Sequence, residues 1–169
     1  NPARGAHDYA LNAFRVVYRF REAAAELFGV ADPLQVALTG NATDGLNRIL
    51  KGLLRPGDHV ITTKAEHNSV LRPLYQLEAQ GVGLDLADLD EAARIDLASL
   101  TALCRPETRA VVVTAASNVT GNVTDLKALG SFCKSRGLIF IVDASQLAGI
   151  MPLDLTALAI DVLVTTGHK

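Results

Sequence analysis

The chain has 169 residues, 49% of them hydrophobic and 20% charged, with a formal net charge of −2. That describes a folded domain large enough to bury a core, not a disordered segment. It carries no Lys/Arg-rich block, no clustered aromatics and no apolar run near the roughly 20 residues of a membrane span, which argues against nucleic-acid and membrane partners.

In chain order, residues 8–28 read as an amphipathic helix with Leu11, Phe14, Val17, Tyr18 and Phe28 on one stripe, stopped by Gly29. Gln35–Leu38 reads as a short strand and Ala42–Leu54 as a helix closed by Arg55-Pro56-Gly57-Asp58. A strand is expected at His59–Thr62, a helix at Ser69–Gln80, a strand at Val82–Leu86 and a helix at Asp96–Cys104. Arg109–Ala115 and Leu138–Asp143 are continuous apolar runs, the kind buried on both faces of a parallel sheet, with a helix between them at Asp125–Arg136. Ile160–Thr165 is the last expected strand. Strands alternating with helices predict an α/β fold, a mostly parallel sheet with helices on both faces. Ligands of such sheets sit beyond the carboxyl ends of the strands.

The strand ends therefore carry the chemistry. Thr39-Gly40-Asn41-Ala42-Thr43 opens a helix, and free backbone amides there form either an anion cradle or a plain cap. It is not a P-loop, because no Gly-Lys-Ser/Thr follows. Glu66-His67-Asn68-Ser69 offers a histidine that could stack on a flat ligand or shuttle a proton; equally, it could simply enter a helix. Asn118, in the loop after Arg109–Ala115, offers a donor and an acceptor. Asp143 ends a doubly buried strand, where a carboxylate is costly without a partner, and no lysine or arginine lies near it in sequence. Thr166-Gly167-His168-Lys169 follows the last strand. Anion cradle, planar stacker, amide, carboxylate and lysine together match the needs of pyridoxal 5′-phosphate (PLP): a seat for the phosphate, a ring partner, an acid for the pyridine nitrogen and a Schiff-base lysine.

The ordered set TGNATDGLN, EHNSVLRP, SNVTG, VDASQ and TTGHK, with NPARGAH at the start, resembles the class V aminotransferase-fold enzymes, and within them the cysteine desulfurases and selenocysteine lyases. The resemblance implies the aspartate aminotransferase-like, fold type I architecture. It divides this chain into an N-terminal helical segment at 1–28 and part of the PLP-binding large domain at 29–169, with a small C-terminal domain beyond Lys169. It implies Lys169 as the Schiff-base lysine and proton carrier, and Asp143 on the pyridine nitrogen. Gln146 and Asn118 would lie near the ring phenolic oxygen and His67 on the ring face. Ala42, Thr43, Thr166 and His168 would hold the phosphate. Arg4 and His7 match the opening motif without an assigned role, and Ser145 departs slightly from the family's Asp-Gly/Ala-Ala-Gln pattern.

The implied reaction removes sulfur or selenium from L-cysteine or selenocysteine, leaving alanine and a persulfide on a loop cysteine downstream. The implied partners are an amino-acid substrate, a second subunit in a homodimer and a sulfur-acceptor protein; no metal is implied. Cys104 and Cys133 read as ordinary core or surface residues, and this segment alone is expected to be inactive. Two cysteines without CxxC spacing, and no signal-peptide pattern, lead to a cytoplasmic expectation. Two alternatives stay open at this point: another class V chemistry (aminotransferase, epimerase or C–S lyase), and a non-catalytic binding or assembly role.

Overall fold

The structure is a computed structural model and describes residues 5, 7–90, 92 and 94–169. Arg4 lies outside the described residues. The elements are α1 (Asp8–Leu27), a 3-10 turn (Pro33–Gln35), α2 (Ala42–Leu53), β1 (His59–Thr63), α3 (Asn68–Glu78), β2 (Gly83–Ala87), α4 (Leu97–Leu103), β3 (Thr108–Thr114), α5 (Leu126–Arg136), β4 (Ile139–Asp143) and β5 (Val162–Val164). Five strands form one sheet in the order β2-β1-β3-β4-β5, and every pairing is parallel.

The apolar runs explain the sheet. Along β3, Val111 and Val113 pack into the core beneath α4 and α5, while Ala110 and Val112 pack into the core beneath α2 and α3. On β4, Phe140 and Val142 join the first core and Ile141 the second. The period-2 alternation of side chains thus splits one apolar run between two layers. A one-residue slip would exchange the two sets, so the register is strongly specified.

The remote end of the sheet carries a polar lock that the sequence reading passed over. His59 is buried at the start of β1, and its Nδ1 lies 2.8 Å from Thr108 Oγ1. Its Nε2 lies 3.3 Å from Asp85 Oδ2 without a well-aligned hydrogen bond. Desolvation holds the imidazole below its ordinary pKa, assisted by Arg105, which itself pairs with Asp85.

Two expectations are corrected. Gln35–Leu38 is not a strand: Asp32 accepts a hydrogen bond from Leu34 N at 2.8 Å, Pro33 starts a 3-10 turn, and the chain then runs on without a sheet partner. The helix at the N-terminus forms as expected, but its buried positions are Ala10 and Ala25, and Leu11 and Phe14 are exposed. Val17, Tyr18 and Phe28 of the expected stripe are half-buried, Phe28 against the first core. Tyr9, Val16 and Phe20 are exposed as well.

Glycines permit two close approaches. A Cβ on Gly45 would stand 3.1 Å from Val164 Cγ1, so this glycine lets α2 lie against β5. A Cβ on Gly130 would fall 1.8 Å from the Leu158 carbonyl oxygen, where the bend into β5 rests directly on α5. Gly130→Ala is therefore expected to lower stability by about 2–3 kcal/mol, the scale of core overpacking. Gly52→Ala, on the open side of α2 with nothing within 4 Å, should be neutral or stabilising by up to about 1 kcal/mol. Urea unfolding midpoints of the two variants check the packing, and a wild-type midpoint for Gly130→Ala would contradict it.

Candidate active site

Because the strands are parallel, the loops after β1, β3, β4 and β5 open on one edge of the sheet. A cavity of about 170 Å³ there is lined by the residues singled out from the sequence: Ala42 and Thr43, His67, Asn118, Asp143 and Gln146, and Thr166, His168 and Lys169. A larger concavity of about 320 Å³ opens near the ends of β1 and β3 and holds no lysine. The convergent chemistry is in the smaller one.

One wall is the start of α2. Asn41 caps it, its Oδ1 accepting from Asp44 N at 2.8 Å, and Thr39 Oγ1 donates to the Asn41 carbonyl at 2.9 Å. Asp44 folds back to accept from Gly40 N at 3.1 Å and pairs with Arg48 at 2.9 Å. Those bonds, Arg48 first, hold its carboxyl below the usual range. With the cap built this way, the amides of Ala42 and Thr43 have no acceptor among the described residues. They are the anion-binding donors of a helix N-terminus. The cap reading is met by the Asp44 amide, and the amides of Ala42 and Thr43 stay free.

Across from it, the loop after β5 places Thr166 and His168. Thr166 Oγ1 lies 2.7 Å from His168 Nδ1, which ties two side chains on the same wall. Lys169 is exposed at the rim.

His67 is the N-cap of α3. Its Nδ1 accepts from Ser69 N at 3.1 Å and lies 2.6 Å from Ser69 Oγ. An accepting Nδ1 assigns the neutral ring its proton on Nε2. Ser69, given no role of its own in the sequence reading, therefore sets both the orientation and the tautomer of this histidine.

Asp143 is 4% exposed. No cation meets it among the described residues. Its Oδ1 instead accepts from Ser145 N at 3.0 Å and from Ser145 Oγ at 2.6 Å. This is an Asx turn. It occupies one oxygen only, and Oδ2 makes no hydrogen bond among the described residues. Ser145, the one departure from the expected pattern, turns out to hold the carboxylate. Its hydroxyl could have been foreseen only by knowing that the turn doubles back.

The cysteines stand apart from this cavity. Cys133 is buried in α5, and desolvation pushes its thiol up to about 12. Cys104 is partly buried, and its thiol is raised for the same reason. Neither is a ready thiolate. No helix among the described residues is long and apolar enough to cross a membrane.

The family model described as Aminotransferase class-V matches residues 1–169. Cysteine desulfurase IscS of Pectobacterium carotovorum is 38% identical over the whole chain, and that of Vibrio cholerae serotype O1 is 36% identical. The chain spans 43% of the length of each. Among solved structures, SspA in complex with cysteine superposes with a TM-score of 0.93 at 26% identity, covering 99% of this chain and 49% of that one. The apo cysteine desulfurase of Thermococcus onnurineus NA1 superposes at 0.89 with 30% identity, over 99% of this chain and 42% of that one. With a parallel α/β sheet, a strand-end cavity and a family match over its full length, the chain belongs to the class-V aminotransferase family.

Proposed function

We propose that this chain is the PLP-binding portion of a cysteine desulfurase, which takes sulfur from L-cysteine and leaves alanine. The observation that carries the reading is Asp143: a buried carboxylate with one oxygen committed to Ser145 and the other uncommitted, in one cavity with Lys169, His67 and the free amides of α2. That donor set fits PLP. Ala42, Thr43, Thr166 and His168 would hold the phosphate, and Asp143 Oδ2 would accept from the protonated ring nitrogen. Gln146 and Asn118 would meet the phenolic oxygen. His67, fixed by Ser69, would cover one ring face, and Lys169 would carry the covalent link.

When bound, PLP supplies an electron sink for the negative charge left at the substrate Cα. The protein's part is protonic and positional. Lys169 would be the group that takes and returns the substrate α-proton. Asp143 would hold a proton on the ring nitrogen. Substrate sulfur then needs a nucleophilic thiolate. Burial raises the thiols of both Cys104 and Cys133, so the acceptor would be a cysteine outside this segment. This segment, 1–28 as an N-terminal helical unit and 29–169 as part of the large domain, would work as half of a larger homodimeric enzyme that hands its persulfide to an acceptor protein in the cytoplasm.

The deciding experiment uses the full-length polypeptide with PLP, L-cysteine and a reductant, and quantifies sulfide, alanine and pyruvate. Sulfide matched by alanine is expected. Sulfide matched by pyruvate would replace the reading with a C–S lyase, and no product from cysteine would remove the substrate assignment. In the same enzyme, Asp143→Ala is expected to lower kcat by at least about 100-fold, as the loss of an aimed charge at a developing one does; near-normal turnover would reject its role. Ser145→Ala, which removes the 2.6 Å donor to Asp143, is expected to weaken PLP binding about tenfold, as read by equilibrium titration.

A further inference from the structure

The residue before His67 is a glutamate that none of this chemistry uses. Glu66 is 7% exposed, and its Oε1 accepts a hydrogen bond of 2.7 Å from Thr63 Oγ1, itself buried at the end of β1. Thr63 Oγ1 also accepts from Ala65 N at 3.2 Å, so residues 63–66 close on themselves through side chains out of water. Glu66 Oε2 has no hydrogen bond among the described residues.

No cation compensates this carboxyl. Asp143 faces it from β4 and opposes its ionisation. The concavity it borders adds Asp90, Asp96 and Asp125; its one arginine, Arg94, is held by Asp90 at 2.9 Å. Asp96 and Asp125 are engaged in capping α4 and α5. His67, next in the chain, has its Nδ1 turned to Ser69. Desolvation, the largest effect, pushes Glu66 up to about 8, with the Thr63 hydroxyl and the Thr114 backbone of β3 pulling only partly the other way. At neutral pH it therefore keeps its proton.

We propose that Glu66 is a positioning residue for His67: as a neutral acid tied to Thr63, it pins the turn between β1 and α3 and so delivers the imidazole to the wall of the cofactor cavity. Two features make this more than packing. The bond links the last residue of β1 to the residue that immediately precedes the N-cap of α3, so its loss frees the peptide that aims His67. A neutral Glu66 also keeps a second buried charge away from Asp143, which opposes its ionisation. The inference rests on the reading of the cavity as a PLP site.

The test compares Glu66→Gln, Glu66→Ala and Thr63→Val in the full-length protein. The His67 imidazole is followed by ¹⁵N-histidine NMR, assigned by its loss in His67→Asn, and PLP affinity by titration. Glu66→Gln keeps both an acceptor for Thr63 and a neutral side chain, so the His67 signals and PLP affinity should stay close to wild type. Glu66→Ala and Thr63→Val should each shift the His67 signals and weaken PLP about tenfold. The Glu66→Ala/Thr63→Val double variant should be little worse than either single one.

Unmoved His67 signals in Thr63→Val, with only a lower Tm, would overturn the proposal, as would damage by Glu66→Gln equal to that of Glu66→Ala. If the wild type binds no PLP, the cofactor reading fails by itself, while the His67 signals still decide the turn.

A pH series supplies a readout that packing alone would not move. A carboxyl whose folded pKa lies near 8, against an ordinary 4.5, gives stability that is full below about 4.5 and is lost as pH rises to about 8. The Tm difference between wild type and Glu66→Gln should therefore fall across that window. Taking the difference removes the opposite, acid-side trend of buried His59. A flat difference would mean that Glu66 is ionised when folded, against the proposal.

Discussion

Parallel pairing is the constraint on which the rest of the molecule depends. In the order β2-β1-β3-β4-β5 every strand points the same way, so each carboxyl end reaches one edge. Residues as far apart in sequence as Ala42 and Lys169 then line one cavity. Parallel strands also need crossovers, and these bury both sheet faces. The Val-Val-Val run of β3 and the Ile-Phe-Ile-Val run of β4 meet that demand by dividing their side chains between two cores. The edge stays polar because the chain leaves the cores there, and each departing turn has its own side-chain closure.

Those closures share a pattern. Asn41 closes the entry to α2, Thr63 and Glu66 the exit from β1, Ser69 the cap at His67, and Ser145 the turn after β4. In each, a polar side chain satisfies a backbone, ring or carboxyl group at the rim, and three of the four leave neighbouring groups uncommitted: the amides of Ala42 and Thr43, the Nε2 face of His67, Oδ2 of Asp143. Preorganisation of this kind lets a site bind without rearranging. The same economy explains why buried Asp143 needs no cation in this chain: two donors from Ser145 offset part of its desolvation.

Electrostatics separate the ends of the sheet. At the far end, His59, Asp85 and Arg105 form a closed set that fastens β1, β2 and the turn before β3. At the site end, Asp143 and Glu66 are buried with no positive partner among the described residues, and the two groups handle this differently. Asp143 accepts two hydrogen bonds from Ser145, whereas for Glu66 the Thr63 hydroxyl and the Thr114 backbone do not offset burial, and it keeps its proton. On α1, Tyr9, Phe14 and Phe20 are exposed.

Local pattern by itself determined the helices, the doubly buried strands and the parallel α/β class, because period, apolar run length and Gly/Pro punctuation act over a few neighbours. It also identified Asp143, His67, Asn118 and Lys169 as strand-end groups worth weighing together. Gln35–Leu38 was misread as a strand because three apolar residues in a row look the same whether or not a sheet edge receives them. Only the tertiary structure decided that Ser145 would fold back on Asp143, that Ser69 would hold the His67 ring, and that Glu66 would lose its counter-charges while Asp44 kept one. Each of these depends on which groups are removed from water together. Desolvation is a property of the assembled fold, and no window of sequence contains it.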